Sequence, residues 1–150
     1  MPLRVGVREY AVKFIKGYIM TIRYQDFTAI YRVAKTYYND DNCCTVISLA
    51  IAAGIGYGAA FHTFKRAGRV TRKGTVKSVQ DKAFAEHGLK LERIVNSFGA
   101  TLKTAAKSGI RGTYLIYSRA HVSAMVDGKM YDWGATSCKR VKAVYTVKAV

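Results

Sequence analysis

Cys43 and Cys44 follow four turn-forming residues, Asn39-Asp40-Asp41-Asn42, and open an uncharged apolar run that continues to Ala53. Asn and Asp favour helix N-caps, so the pattern predicts a helix start at the two thiols. Backbone N–H groups at such a start have no helical acceptor, and the helix dipole favours an anion, which stabilises a thiolate there. A cysteine so placed is a nucleophile near neutral pH. Adjacent helical residues point about 100° apart, so only one of the two thiols faces a given site. Taken without partners, the pair also reads as small core hydrophobes, because free cysteine is among the most buried residue types.

Partners come from the C-terminal half. His121 to Val126 and Lys129 to Trp133 are strand-like and flank Asp127-Gly128, a preferred dipeptide of the two-residue type I′ hairpin turn. Such a turn pairs Val126 with Lys129 and sets Ser123 opposite Asp132, with His121 two residues along on the same face. His121 and Asp132 are then diagonal neighbours, about 7–8 Å apart at the backbone and within side-chain hydrogen-bonding reach. Cysteine, histidine and aspartate are the nucleophile, general base and orienting carboxylate that acyl transfer needs.

The elements that must position these residues are read as helices first and strands afterwards. Leu3 to Arg8 alternates as a strand would, and Ala11 to Tyr38 has apolar and aromatic spacings that fit helix better than strand. Gly54 ends the cysteine helix, Gly56 and Gly58 mark a turn, and Ala59 to Ala67 is a second helix stopped by Gly68. Arg69 to Lys77 is expected as an exposed basic loop, Ser78 to His87 as a third helix stopped by Gly88, and Leu89 to Thr104 as mixed structure. Thr113 to Ser118, the hairpin and Val141 to Val150 complete an antiparallel set. Helices followed by antiparallel strands predict an α+β fold.

A length of 150 residues suits one domain, with residues 1–38 set apart as an N-terminal extension. Half the residues are apolar and 23% are charged, which excludes a disordered chain, and a single proline with no visible repeat excludes Pro-rich and repeat architectures. The net charge of +16 spreads as +4, +5 and +7 over residues 1–40, 41–100 and 101–150. Charge of that size points to an anionic partner: nucleic acid, an acidic protein or a membrane surface. Lys65, Arg66, Arg69, Arg72, Lys73 and Lys77 form the one dense cluster, which reads either as a phosphate-tracking surface or as a solvated loop.

An odd count of three cysteines, two of them adjacent, argues against a disulfide framework and for a reducing compartment. No Cys-x-x-Cys spacing occurs and the three histidines are dispersed, so no metal site and no cofactor are expected. Residues 1–8 lack the apolar stretch of a signal peptide, which points to the cytoplasm. Asn42 to Phe64 carries no Asp, Glu, Lys or Arg and includes Gly54-x-x-x-Gly58, a pattern that imitates a membrane span. Its glycines and hydroxyls fit a buried helix and turn better, and no membrane span is expected.

The local contexts Cys43 to Ala60 (CCTVISLAIAAGIGYGAA), Ala67-Gly68-Arg69, Lys73-Gly74-Thr75 and His121 to Trp133 (HVSAMVDGKMYDW) resemble papain-like cysteine peptidases, closest to small bacteriophage-encoded versions. The resemblance covers separate blocks between Asn42 and Trp133. It implies a papain-like α+β fold, in which the nucleophile helix packs on an antiparallel sheet, with Cys44 as nucleophile, His121 as base and Asp132 as orienting acid. Members carry a polar residue where Cys43 stands, so the choice between the two thiols stays open. Papain-like folds place an oxyanion-stabilising Gln or Asn a few residues before the nucleophile; Asn39 is the candidate for that role, with Asn42 as a plain N-cap. The implied function is a thiol hydrolase, a peptidase or isopeptidase acting on a protein or peptide in the host cytoplasm, with virion association as a further expectation. The alternative is a basic, non-catalytic protein of the same fold that holds nucleic acid or an acidic host protein.

Overall fold

A computed structural model describes residues 10–15 and 18–23 as backbone, and residues 27–132 and 138–150 in full. Strands β1 (Tyr10–Ile15) and β2 (Tyr18–Arg23) pair antiparallel, with Ile15 opposite Tyr18. The helix expected across this stretch begins only at α1 (Phe27–Tyr38). Tyr, Val, Phe and Ile dominate residues 10–23, and these residue types favour strand over helix despite the spacing of the apolar positions. The strand expected at Leu3 to Arg8 lies outside the described residues. Helix α1 is no appendage to the rest, because its Ile30 and Ala34, one turn apart, are fully buried in the main core.

Helix α2 (Cys44–Ala53) is apolar on all sides and buries Thr45 through Ile51. Gly54 ends it at φ +66, a left-handed conformation that side chains with a Cβ adopt at a cost, and Ile55 N bonds back to Ala50 O at 3.0 Å. Helix α3 (Tyr57–Ala67) starts two residues earlier than expected, so Gly58 lies inside it. A Cβ at Gly58 would overlap the Tyr38 hydroxyl, so this glycine allows α1 to approach α3. Helices α2 and α3 meet at 118°, and among the described residues no single helix is long and apolar enough to cross a membrane.

Helix α4 (Lys77–Glu86) leads into β3 (Leu89–Ile94), and α5 (Leu102–Ala106) precedes β4 (Thr113–Ser118), β5 (His121–Val126), β6 (Lys129–Tyr131) and β7 (Ala143–Ala149). The last five strands make one antiparallel sheet in the order β3-β7-β4-β5-β6. The class is α+β, as the order of elements predicts. Alternation along β4 and β5 sends Leu115, Val122 and Ala124 into the core shared with α1 to α4, and Ile116 and Met125 into a smaller core with Phe98 and Leu102. The sheet is thus covered on both faces, and α2 packs directly against β5. Asp127 and Gly128 have φ of +49 and +83, the two positive values that a type I′ turn requires, and Val126 pairs with Lys129.

Candidate active site

The packing of α2 on β5 brings the first residue of that helix to the first residue of that strand. Cys43 is the N-cap, with no side-chain capping bond, and Cys44 begins the helix. Ile47 N makes a helical bond to Cys43 O at 2.9 Å, so the N–H groups of Cys44, Thr45 and Val46 have no acceptor within the helix. Cys43 is only 1% exposed and packs in the main core. Burial first, and then the charges of Asp40 and Cys44, push its thiol up to about 12, so it stays protonated and inert near neutral pH. Cys44 is half-buried and lines a cavity of about 340 Å³. The helix therefore separates the two thiols into a core residue and a site residue.

His121 lines the same cavity. Its Nε2 lies 2.8 Å from Asp132 Oδ1 and 3.0 Å from Oδ2. Both side chains are more than nine-tenths buried. The hairpin register accounts for the meeting: Ala124 pairs with Tyr131, and one step further Ser123 comes beside Asp132. Ser123 Oγ donates to Asp132 Oδ2 and sits 3.2 Å from His121 Nε2, so the carboxylate and the ring share a buried hydroxyl. Burial acts to lower the imidazole pKa, but the hydrogen bonds and charges of Asp132 and Cys44 outweigh it and lift the ring from 6.5 to about 9. The ring is therefore cationic at neutral pH and has the Cys44 sulfur as a further hydrogen-bonding partner. Cys44, His121 and Asp132 are brought together.

Asn39 is not brought to them. It is exposed, has φ +48, and accepts from the Arg72 guanidinium through its Oδ1 at 3.1 Å and its carbonyl at 3.3 Å. Asn42, expected as the N-cap, gives up that position to Cys43 and instead lines the cavity beside Cys44. Its amide nitrogen lies 3.8 Å from where a Gly74 Cβ would stand. Asn39 is thus held at the surface by Arg72, and Asn42 is the asparagine that reaches the cavity.

Asp40 is fully buried and anchors the start of the basic loop, which is exposed along most of its length as expected, with Arg69 the buried exception. Arg69 clamps it with two bonds, Nη1 to Oδ2 at 2.7 Å and Nη2 to Oδ1 at 3.0 Å, while Tyr57 Oη donates to Oδ2 at 2.8 Å and Arg72 N to Oδ1 at 3.1 Å. Burial would raise this carboxyl, but the hydrogen bonds and charge of Arg69 and Tyr57 hold it below the usual carboxylate range. The same guanidinium donates from Nη2 to Asn42 O at 2.7 Å, which fixes the backbone just before the two cysteines. Nothing in the sequence links Asp40 with Arg69, 29 positions apart; the run of four turn residues was the only signal at the aspartate.

The dense basic cluster divides accordingly. Arg69 is buried in its ion pair, Arg66 meets Glu86 at 2.7 Å, Arg72 meets Asp41 at 2.8 Å, and Lys77 pairs with Asp81. Lys65 stands over the Phe61 ring, and Lys73 is exposed. Four of the six cations are matched by carboxylates within the chain. Among the described residues no three His, Cys, Asp or Glu side chains are grouped to hold a metal ion.

The cavity walls are completed by Thr45, whose hydroxyl meets Thr75 at 2.9 Å, and by Tyr117, which donates to the buried Gln80. Ala120 and Val122 add an apolar strip. Comparison of the chain with protein-family models, curated proteins and solved structures finds no match.

Proposed function

We propose that the protein is a thiol hydrolase of papain-like architecture, a peptidase or isopeptidase, with Cys44 as nucleophile, His121 as acid and base, and Asp132 as the residue that orients the ring. The observation that carries the reading is His121 itself, buried between the Asp132 carboxylate and the Cys44 sulfur. Asp132 holds the ring through Nε2, and a histidine beside a cysteine sulfur is the pairing that activates a thiol as a nucleophile.

The chemistry follows from these positions. The Cys44 sulfur attacks the carbonyl carbon and forms a C–S bond. The oxyanion faces the free N–H of Cys44 and the side-chain amide of Asn42, which replaces Asn39 in that role. His121 passes its proton to the leaving amine as the C–N bond breaks, leaving a thioester. Water then attacks the thioester carbon as His121 takes one of its protons, the C–S bond breaks to release the carboxylic acid, and the Cys44 thiolate and His121 imidazolium are restored.

The test is alkylation by iodoacetamide, read peptide by peptide in a mass spectrometer. Cys44 is expected to label at least tenfold faster than exposed Cys138, Cys43 not to label in the folded chain, and His121→Ala to slow Cys44. Equal rates at Cys44 and Cys138 defeat the proposal. The alternative, a nucleic-acid-binding protein without turnover, has weaker support because most of the dense cationic cluster is paired within the chain.

A further inference from the structure

We infer that the Cys44 site takes an acidic peptide, with carboxylates flanking the reacting carbonyl that meet Lys73 and Arg119 on the rim of the cavity. This rests on the thiol hydrolase reading and names the substrate class that it leaves open.

Gly74 and Ala120 both line the cavity, and each is preceded by an exposed cation, Lys73 on the loop before α4 and Arg119 between β4 and β5. The other cations of the Lys65 to Lys77 run are largely matched by carboxylates or packed on rings, whereas the side chains of Lys73 and Arg119 meet no carboxylate among the described residues. Lys139 Nζ comes to 3.4 Å from the Arg119 carbonyl and adds a third cation to that rim.

Among the described residues no Asp or Glu lines the cavity, and Asp132 beside it is buried and engaged by His121 and Ser123. Positive charge at the mouth is therefore uncompensated from inside. An anionic ligand at the site gains from both cations as it binds. Ala120 and Val122 offer apolar wall to the stems of acidic side chains. The overall charge of +16 draws the same ligand from a distance. A peptide fits this arrangement better than a nucleic acid, because Lys73 and Arg119 sit singly beside the cavity rather than along a continuous track.

The test uses the full chain and two alkylating probes of nearly equal size, anionic iodoacetate and neutral iodoacetamide. Each forms a C–S bond at Cys44 with loss of iodide, and their rate ratio divides out the reactivity of the sulfur itself. In Lys73→Glu/Arg119→Glu the ratio of iodoacetate to iodoacetamide is expected to fall about three- to tenfold at 0.01 M salt, with the difference shrinking as salt screens it. The milder Lys73→Gln/Arg119→Gln is expected to fall between. Equal charge reversal at Lys103 of α5 and Lys107 just after it, neither next to a residue that lines the cavity, is expected to move the ratio far less. A Glu-rich decapeptide should protect Cys44 from iodoacetamide in the parent at 0.15 M salt and protect it less in the rim variant.

A ratio that does not move in the rim variants, or that moves as much in the α5 variant, overturns the proposal. Protection by a duplex oligonucleotide with none by the peptide overturns it in favour of nucleic acid. A Cys44 no faster than Cys138 toward iodoacetamide is a separate result, which defeats the hydrolase reading and this inference together.

Discussion

Asp132→Asn tests the part of the site on which the chemistry most depends. In the folded protein the His121 ring titrates at about 9 against an ordinary 6.5, with Asp132 as the strongest influence acting to raise it. That difference corresponds to about 3 kcal/mol of preference for the charged ring in the folded state. Because the folded value is the raised one, this stabilisation is fully present below about pH 6.5 and disappears as the pH rises through about 9. With the carboxylate gone, burial acts with less opposition, and the ring is expected to titrate at least two pH units lower and to be neutral at pH 7.5. The variant changes one oxygen for an amide nitrogen, so the packing around Ser123 is retained. A proton NMR titration of the ring reads the shift directly. Urea unfolding at pH 6 and pH 10 reads the linkage: the parent should lose about 3 kcal/mol more than the variant between these values. The loss of ring charge should also slow iodoacetamide at Cys44 near neutral pH. A parent ring that titrates near 6.5, or a variant that titrates as the parent does, would refute the reasoning.

Arg69→Met leaves the Asp40 carboxylate buried without its cation and should cost about 3–5 kcal/mol in urea unfolding, with Asp40→Asn added to it recovering part of that loss in a double-mutant cycle. The same pair makes stability fall with acid: the depressed Asp40 carboxyl contributes above its ordinary value near 4, and its contribution goes as the pH drops through its lower folded value, which Asp40→Asn should remove. Asn42→Ala should slow hydrolysis of p-nitrophenyl acetate by about 10²–10³ by removing an oxyanion donor, while Asn39→Ala should change the rate by less than about threefold; the reverse order would restore Asn39 to the role. Ser123→Ala removes a buried hydroxyl that serves both Asp132 and His121, and should lower unfolding free energy by about 1–2 kcal/mol and slow alkylation of Cys44.

Much of the candidate site was legible because its decisive geometry is local. Two turn residues determine a hairpin register, and register in a strand of period two determines which side chains share a face; Asp127-Gly128 therefore carried the meeting of His121 with Asp132. The end of α2 was equally local, since Gly54 acts within one helical turn. The helix expected over residues 11–23 failed because apolar spacing alone does not separate short helix from strand, and residue type decided for the hairpin.

What stayed hidden depends on residues far apart in the chain. Both thiols had the same local claim to be the nucleophile, and only the packing of α2 on β5 turned Cys43 into the core and Cys44 toward His121. Asn39 and Asn42 were likewise interchangeable in pattern until Asp40 turned inward to meet Arg69 from the far side of two helices, which carried Asn42 to the cavity and Asn39 to the surface. Charge was the least legible property. Composition counts cations, but whether one is free depends on which carboxylate folding places beside it, and that left Lys73 exposed while Arg69 disappeared into the core.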